Sequence, residues 1–327
     1  MERLLDEIVR RSDAGERVAV CTVVAARGST PQSAGARMLL LGDGRTIGTL
    51  GGGCVEAEVR QRAIGLLHAG QSRLLTFKLD HDYGWDDGLI CGGTMEIVVQ
   101  TLLSPLDADE YRSALARLRA AQAARIELRY EAEAGESRIY VETIDPPPKL
   151  LIVGAGHVGQ SLASLAAACD FRVTVIDDRA DCASPDRFPL AEGRIVGDIE
   201  AELARYPIDP HTYVVIVTRG HRHDGRALAA VISSPARYLG LIGSRRKVKT
   251  IFDDLLAQGV SIDRLAQVRA PIGFEIGAVT VPEIAVSILA ELVAVRRGRG
   301  EGAANPLKFD PAKLREILES GPASKSC

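Results

Sequence analysis

The tightest constraint on the fold lies near the middle of the chain. There the apolar run Leu150 to Val153 leads into Gly154-Ala155-Gly156-His157-Val158-Gly159 and then into helix formers as far as Cys169. Strand, glycine turn and helix in that order leave few alternatives. Gly154 permits a tight turn, Gly156 lets backbone approach a pyrophosphate, and Gly159 lets helix and strand pack closely. Amides and dipole at the start of such a helix favour an anion. A second strand, Arg172 to Ile176, ends beside Asp177, at the separation expected of an acid that binds ribose hydroxyls.

The same rhythm continues. Ile195 centres a short strand, and Tyr213 to Val217 and Tyr238 to Ile242 read as buried strands. Helices are expected after Asp198, Asp224 and Ser244, and an amphipathic helix over Pro282 to Arg297 starts with proline and stops before Gly298. Fully apolar strands alternating with helices indicate a parallel sheet covered on both faces. The fold class is therefore α/β, with a Rossmann-type domain over residues 149–298.

Asp145-Pro146-Pro147-Pro148 precedes this domain and can continue neither a helix nor a central strand, so it reads as a boundary. The 327 residues are also long for a single core. Residues 1–145 carry a different pattern, that of a smaller α+β domain. A first helix ends near Asp13, and Val18 to Ala25 is a strand followed by a turn from Arg27 to Pro31. Met38 to Leu41 and Thr46 to Leu50 form a hairpin through Gly42-Asp43-Gly44. Then come a helix over Val55 to Leu67, a strand over Leu74 to Leu79, an irregular loop from Asp80 to Gly93 carrying Trp85, and a strand over Thr94 to Leu103. A helix over Asp109 to Ala124 and strands at Ile126 to Tyr130 and Ser137 to Glu142 complete it. The tail, 299–327, holds one expected helix, Pro311 to Glu319.

Composition excludes several roles. Aromatics are 4% of residues and the net charge is -3, which argues against a nucleic-acid surface or an acidic membrane as partner. The longest apolar runs have strand length and cannot span a bilayer. The six cysteines (Cys21, Cys54, Cys91, Cys169, Cys182, Cys327) show no zinc spacing and no disulfide framework, so a reducing cytoplasm is expected.

Two further loops follow strands, where open α/β sheets bind ligands. In Thr218-Arg219-Gly220-His221-Arg222-His223-Asp224, His221, His223 and Asp224 can be read as metal ligands, as a polar ligand-contacting loop, or as solvated histidines beside an Asp224 helix cap. In Gly243-Ser244-Arg245-Arg246-Lys247, Ser244 can cap a helix whose first turn is basic. Positive charge is unfavourable there, so Arg245 and Arg246 favour an anion partner over a merely solvated turn. An NAD(P)-dependent oxidoreductase using Gly154, Gly156, Gly159 and Asp177 is one reading, with NAD preferred to NADP, although no Tyr-x-x-x-Lys proton donor is evident. A metal-dependent hydrolase is another.

Gly51-Gly52-Gly53-Cys54-Val55-Glu56 runs from strand into helix. Helix amides at that point stabilise a thiolate, the reactive and metal-binding form, and the glycines admit a bulky anion. The alternative is a small buried hydrophobe. Cys91, in Gly88-Leu89-Ile90-Cys91-Gly92-Gly93, stands evenly between these two roles, and both cysteine loops could serve one pocket.

Taken in order, these motifs resemble the XdhC/CoxI family of xanthine dehydrogenase accessory factors. The resemblance rests on Thr49-Leu50 with Gly51 to Glu56, Cys91-Gly92-Gly93, Gly154 to Gly159, Thr218 to His221 with Asp224, Gly243 to Lys247, Ala270-Pro271-Ile272-Gly273 and Glu283-Ile284-Ala285. The late segment Gly273-Phe274-Glu275-Ile276-Gly277-Ala278 departs mildly from the Gly-Leu-Asp-Ile-Gly-Ala pattern of such proteins. The resemblance implies a chaperone that binds the molybdenum cofactor (molybdopterin), supports its sulfuration and delivers it to a xanthine dehydrogenase-type molybdenum hydroxylase. It implies Cys54 as the cofactor-binding thiol and a cysteine desulfurase-type sulfur donor as a second partner. Self-association as a homodimer is expected, as such domains commonly pair.

Overall fold

The computed structural model describes residues 1–79, 92–132 and 135–298. Trp85, Cys91, Cys327 and the helix expected over Pro311 to Glu319 lie outside them. The chain divides into two compact units between Pro146 and Pro147.

The first unit runs α1 (Glu2–Asp13), β1 (Val18–Arg27), β2 (Arg37–Leu41), β3 (Thr46–Gly48), α2 (Gly53–Ala69), β4 (Arg73–Lys78), β5 (Thr94–Leu102), α3 (Asp109–Arg119), β6 (Ala124–Glu131) and β7 (Ser137–Ile144). Five strands form an antiparallel sheet in the order β3-β2-β1-β5-β4, and β6 and β7 pair as a ribbon. Side chains alternate across a strand. Ala19, Cys21 and Val23 of β1 therefore pack with Val55, Val59, Ala63 and Leu67 of α2, while Val18 and Val20 pack with Leu5 and Ile8 of α1 and Tyr111 and Leu115 of α3. Burial on both faces explains why this central strand is apolar almost throughout.

Several boundaries depart from the sequence reading: β3 ends at Gly48 and not Leu50, the helix expected after Asp224 begins at His221 and so encloses that residue, and α3 ends early. Helix α3 stops at Arg119, not Ala124; Ala121 turns left-handed at φ 55°, and the Gln122 N–H donates to the Arg117 carbonyl. The residues 120–124 favour helix by propensity, but Ala124 is drawn into pairing with Ile144.

The second unit runs β8 (Lys149–Val153), α4 (His157–Ala168), β9 (Arg172–Asp177), β10 (Gly193–Val196), α5 (Ile199–Arg205), β11 (Thr212–Ile216), α6 (His221–Val231), β12 (Tyr238–Leu241), α7 (Arg245–Ala257), α8 (Ile262–Ala266) and α9 (Val281–Arg296). Its sheet is parallel, in the order β10-β9-β8-β11-β12. Leu150, Ile152, Val173, Val175 and Val215 pack under Leu162 of α4 and Ile288 and Leu292 of α9. Leu151, Val153, Ile176, Val214 and Ile216 pack on Leu203 of α5, Leu228 of α6 and Phe252 of α7. This is the doubly wound parallel sheet expected from the apolar strands. Helix α9 is less amphipathic than expected: it packs along α4 and buries Ala285, Ile288, Glu291 and Leu292.

Strand order reverses between β8 and β11. That is the switch point at which open sheets of this kind form a ligand crevice. Among the described residues, no helix is long and apolar enough to cross a membrane.

Candidate functional site

The glycine turn closes on the switch point. Gly154 has φ 116°, and a Cβ there would stand 2.6 Å from the Val217 carbonyl oxygen and 2.9 Å from Thr218 Cα. The turns leaving β8 and β11 thus touch, and only glycine fits between them. A Cβ on Gly159 would lie 2.2 Å from the Gly154 carbonyl oxygen, so helix α4 sits as close to its strand as backbone allows. Gly156 differs: open space lies where its Cβ would be. It is the N-cap of α4, and it supplies no side-chain cap. Gly220, N-cap of α6, has the same two properties. Two helices therefore begin beside the switch point without side-chain caps, each with an exposed histidine, His157 or His221, as its first residue. Uncapped amides and aligned dipoles make this an anion-favouring edge.

Asp177 does not stand free at the end of β9. Its Oδ2 accepts from the Ala155 N–H at 2.7 Å and from Arg179 Nη2 at 3.0 Å; its Oδ1 accepts from the Arg179 N–H at 3.0 Å and from Arg179 Nε at 2.8 Å. Burial opposes ionisation, but the Arg179 guanidinium and the two backbone N–H groups outweigh it and hold the carboxyl at about 2. The acid expected to read a ribose is engaged by its own chain.

The loop after β11 is also tied inward. Asp224 is fully buried; its Oδ1 accepts from the Thr218 N–H at 3.0 Å and from Thr218 Oγ1 at 2.6 Å, and its Oδ2 pairs with Lys247 Nζ. It is a strut inside α6, not the N-cap and not a metal ligand as two of the sequence readings allowed. Among the described residues, no three His, Cys, Asp or Glu side chains gather to hold a metal ion, so the hydrolase reading loses its centre. Arg219 pairs with Asp178 at 2.7 Å. Ser244 caps α7 by accepting from the Lys247 N–H at 3.3 Å, while Arg245 and Arg246 stand exposed in that first turn.

In the first unit, Gly51, Gly52 and Gly53 all have positive φ (110°, 74° and 65°). A Cβ on Gly51 would strike Pro31 Cβ at 2.5 Å, whereas Gly52 and Gly53 face open space. Their backbone is bared on one side. Cys54 follows in the first turn of α2 and is half-buried, unlike Cys21, which is sealed in the core with its thiol pushed up to about 12 by burial. Glu56 reaches back over the loop: its Oε2 accepts from Thr49 Oγ1 at 2.7 Å, the Leu50 N–H at 2.9 Å and the Gly52 N–H at 3.1 Å. Burial would raise its pKa, but these three donors lower it on balance. The second glycine loop approaches the same turn. A Cβ on Gly93 would lie 2.4 Å from the Ser29 carbonyl oxygen, and one on Gly28 would lie 2.9 Å from that of Gly92. The Arg27 to Pro31 turn thus packs against both glycine segments, while Cys91 itself lies outside the described residues.

Sequence reasoning missed Arg179 and Asp178, which decide how Asp177 and Arg219 are used. The adjacency Asp177-Asp178-Arg179 was the available signal. It also missed Lys247 as the partner of Asp224, for which no local signal exists.

A parallel sheet with a glycine turn at its switch point, preceded by an antiparallel α+β unit with a cysteine-bearing glycine loop, defines the class: a two-unit α/β protein with a C-terminal Rossmann domain. Residues 150–292 match the XdhC Rossmann domain and residues 12–78 match the XdhC and CoxI family, together more than half of the chain. The chain belongs to the XdhC and CoxI family. It is 29% identical over 285 residues to the uncharacterized protein YqeB of Escherichia coli, which covers 87% of this chain but 44% of YqeB, so the chain spans less than half of that relative. It is 27% identical to a probable xanthine dehydrogenase subunit of Bacillus subtilis, over 86% of this chain and 94% of that protein. It is 28% identical to the molybdenum cofactor insertion chaperone PaoD of Escherichia coli, over 89% and 87% of the two chains. The crystal structure of a xanthine dehydrogenase from Bacillus halodurans shares the fold, with a TM-score of 0.80, 23% identity, and coverage of 93% of this chain and 97% of that one.

Proposed function

We propose that this protein is a maturation factor that binds the molybdenum cofactor as cargo, supports its sulfuration and aids its insertion into a xanthine dehydrogenase-type molybdenum hydroxylase. The observation that carries the reading is the setting of Cys54. A half-exposed thiol stands in the first turn of α2, next to glycine backbone with open space beside it. Thiolate sulfur is a soft ligand suited to such a metal. Family membership and the names of two relatives, a molybdenum cofactor insertion chaperone and a probable xanthine dehydrogenase component, support the same reading.

The protein's own residues do three things in this reading. Glu56 holds the loop from Thr49 to Gly52 in shape. Gly52 and Gly53 leave room for a bulky anion. Cys54 provides the sulfur contact. A cysteine desulfurase-type donor and the target hydroxylase are the partners, a homodimer is the working form, and the cytoplasm is the location; the role is that of a chaperone, not an enzyme.

The test is metal and pterin analysis of the full chain isolated from cells that make the cofactor and from cells that do not. Molybdenum and pterin are expected near one per chain only in the first. Cys54→Ala is expected to lower that content at least about tenfold. Wild-type protein without molybdenum would overturn the reading; an unchanged Cys54→Ala would remove Cys54 from the site.

A further inference from the structure

The Rossmann fold carries an expectation of NAD or a related dinucleotide, and the crevice of the second unit does not fit it. In a dinucleotide site, the acid ending the second strand accepts hydrogen bonds from ribose hydroxyls. A carboxylate offers about four lone-pair sites. All four hydrogen bonds that Asp177 can accept come from its own chain: the Ala155 N–H, the Arg179 N–H, and Arg179 Nε and Nη2. Asp177 is 2% exposed.

A second carboxylate also lies near the guanidinium. Asp178 Oδ1 lies 3.7 Å from Arg179 Nε, and Asp178 Oδ2 is in turn held by Arg219 at 2.7 Å. A ribose can reach Asp177 only by displacing a charged two-point partner. An uncharged diol is the weaker competitor: both groups would donate to an ionised carboxylate, but only the guanidinium adds a full positive charge and a rigid two-point geometry.

We infer that Arg179 closes the ribose subsite, so that the crevice does not take NAD, and that its ligand is one recognised without an adenosine ribose. Asp177 serves the turn instead: by fixing the Ala155 N–H it sets the path of the backbone from Gly154 to Gly156. The inference stands on the surroundings of Asp177 and is independent of whether the protein carries a molybdenum cofactor.

Calorimetric titration of the full chain with NAD and with NADP tests it. Wild-type protein is expected to give no saturable binding of either. Arg179→Ala frees two of the four acceptor sites and is expected to raise NAD affinity roughly tenfold or more. The gain is expected for NAD and not for NADP, because a freed carboxylate repels a 2′-phosphate. A merely structural role for Arg179 would not separate the two. Arg179→Met keeps the packed stem and replaces Arg179→Ala if circular dichroism shows that variant unfolded. Saturable binding of either dinucleotide by the wild type would overturn the inference. So would a folded Arg179 variant with no gain for NAD.

Discussion

Lys247, in the first turn of α7, reaches back over Gly243 to the carboxylate of Asp224, a side chain sealed from solvent within α6. A Cβ on Gly243 would lie 2.9 Å from Lys247 Cδ, so the glycine clears the path of the lysine stem. The second carboxylate oxygen binds the N–H and hydroxyl of Thr218. One buried charge therefore joins two helices and the loop after β11, and it keeps that loop against the glycine turn.

Removing one member of such a pair leaves the other uncompensated. Asp224→Ala is expected to lower unfolding free energy by about 3 kcal/mol, towards the lower end for a broken buried pair because Lys247 can turn partly to water. The double change Asp224→Ala with Lys247→Met is expected to cost less than the sum of the single changes. Urea denaturation reads both. A loss below about 1 kcal/mol for Asp224→Ala would class the pair with exposed ion pairs and refute its role as a strut.

Asp177 gives a pH signature with a definite sign. Its folded-state pKa is lowered from 3.8 to about 2, so the folded state binds fewer protons than the unfolded one in that window. The contribution is complete above the unfolded value and disappears as pH falls through the folded value, between about pH 5 and pH 2, with a size on the order of 2 kcal/mol. Stability measured against pH is expected to fall less steeply there in Asp177→Asn than in the wild type. Identical slopes would show that Asp177 is not held as described.

The cysteines separate by burial. Cys21 lies within β1 with no exposed surface and a thiol pushed up to about 12 by burial, whereas Cys54 is half-exposed. Brief iodoacetamide treatment of native protein, read by peptide mass spectrometry, is expected to modify Cys54 while leaving Cys21 untouched until denaturant is added. Equal modification of both in native protein would contradict the packing of α2 on the sheet.

Much of the architecture could be read from local patterns. The strand, turn and helix around Gly154 were legible because the positive φ of Gly154 and the close approach of Gly159 to its carbonyl are local demands, and the start of α2 near Cys54 was legible because three glycines precede a run of helix formers. The end of α3 was not, since the alanines of 120–124 prefer helix and only pairing of Ala124 with Ile144 makes the last of them strand. Asp177 was correctly placed at a strand end, but its pairing with Arg179 was not foreseen, because the direction of the Arg179 side chain depends on packing and not on spacing.

Residue order alone determined that the second half alternates apolar strands with helices, that a glycine turn follows its first strand, and that Cys54 opens a helix. These follow from periodicity and backbone sterics over a few residues. The folded chain decided which charges remain available to a ligand. Asp177 and Asp224 are consumed by Arg179 and Lys247, while Arg245 and Arg246 stay exposed. That outcome depends on which groups burial brings together, and a buried carboxylate binds the nearest donors before any ligand arrives.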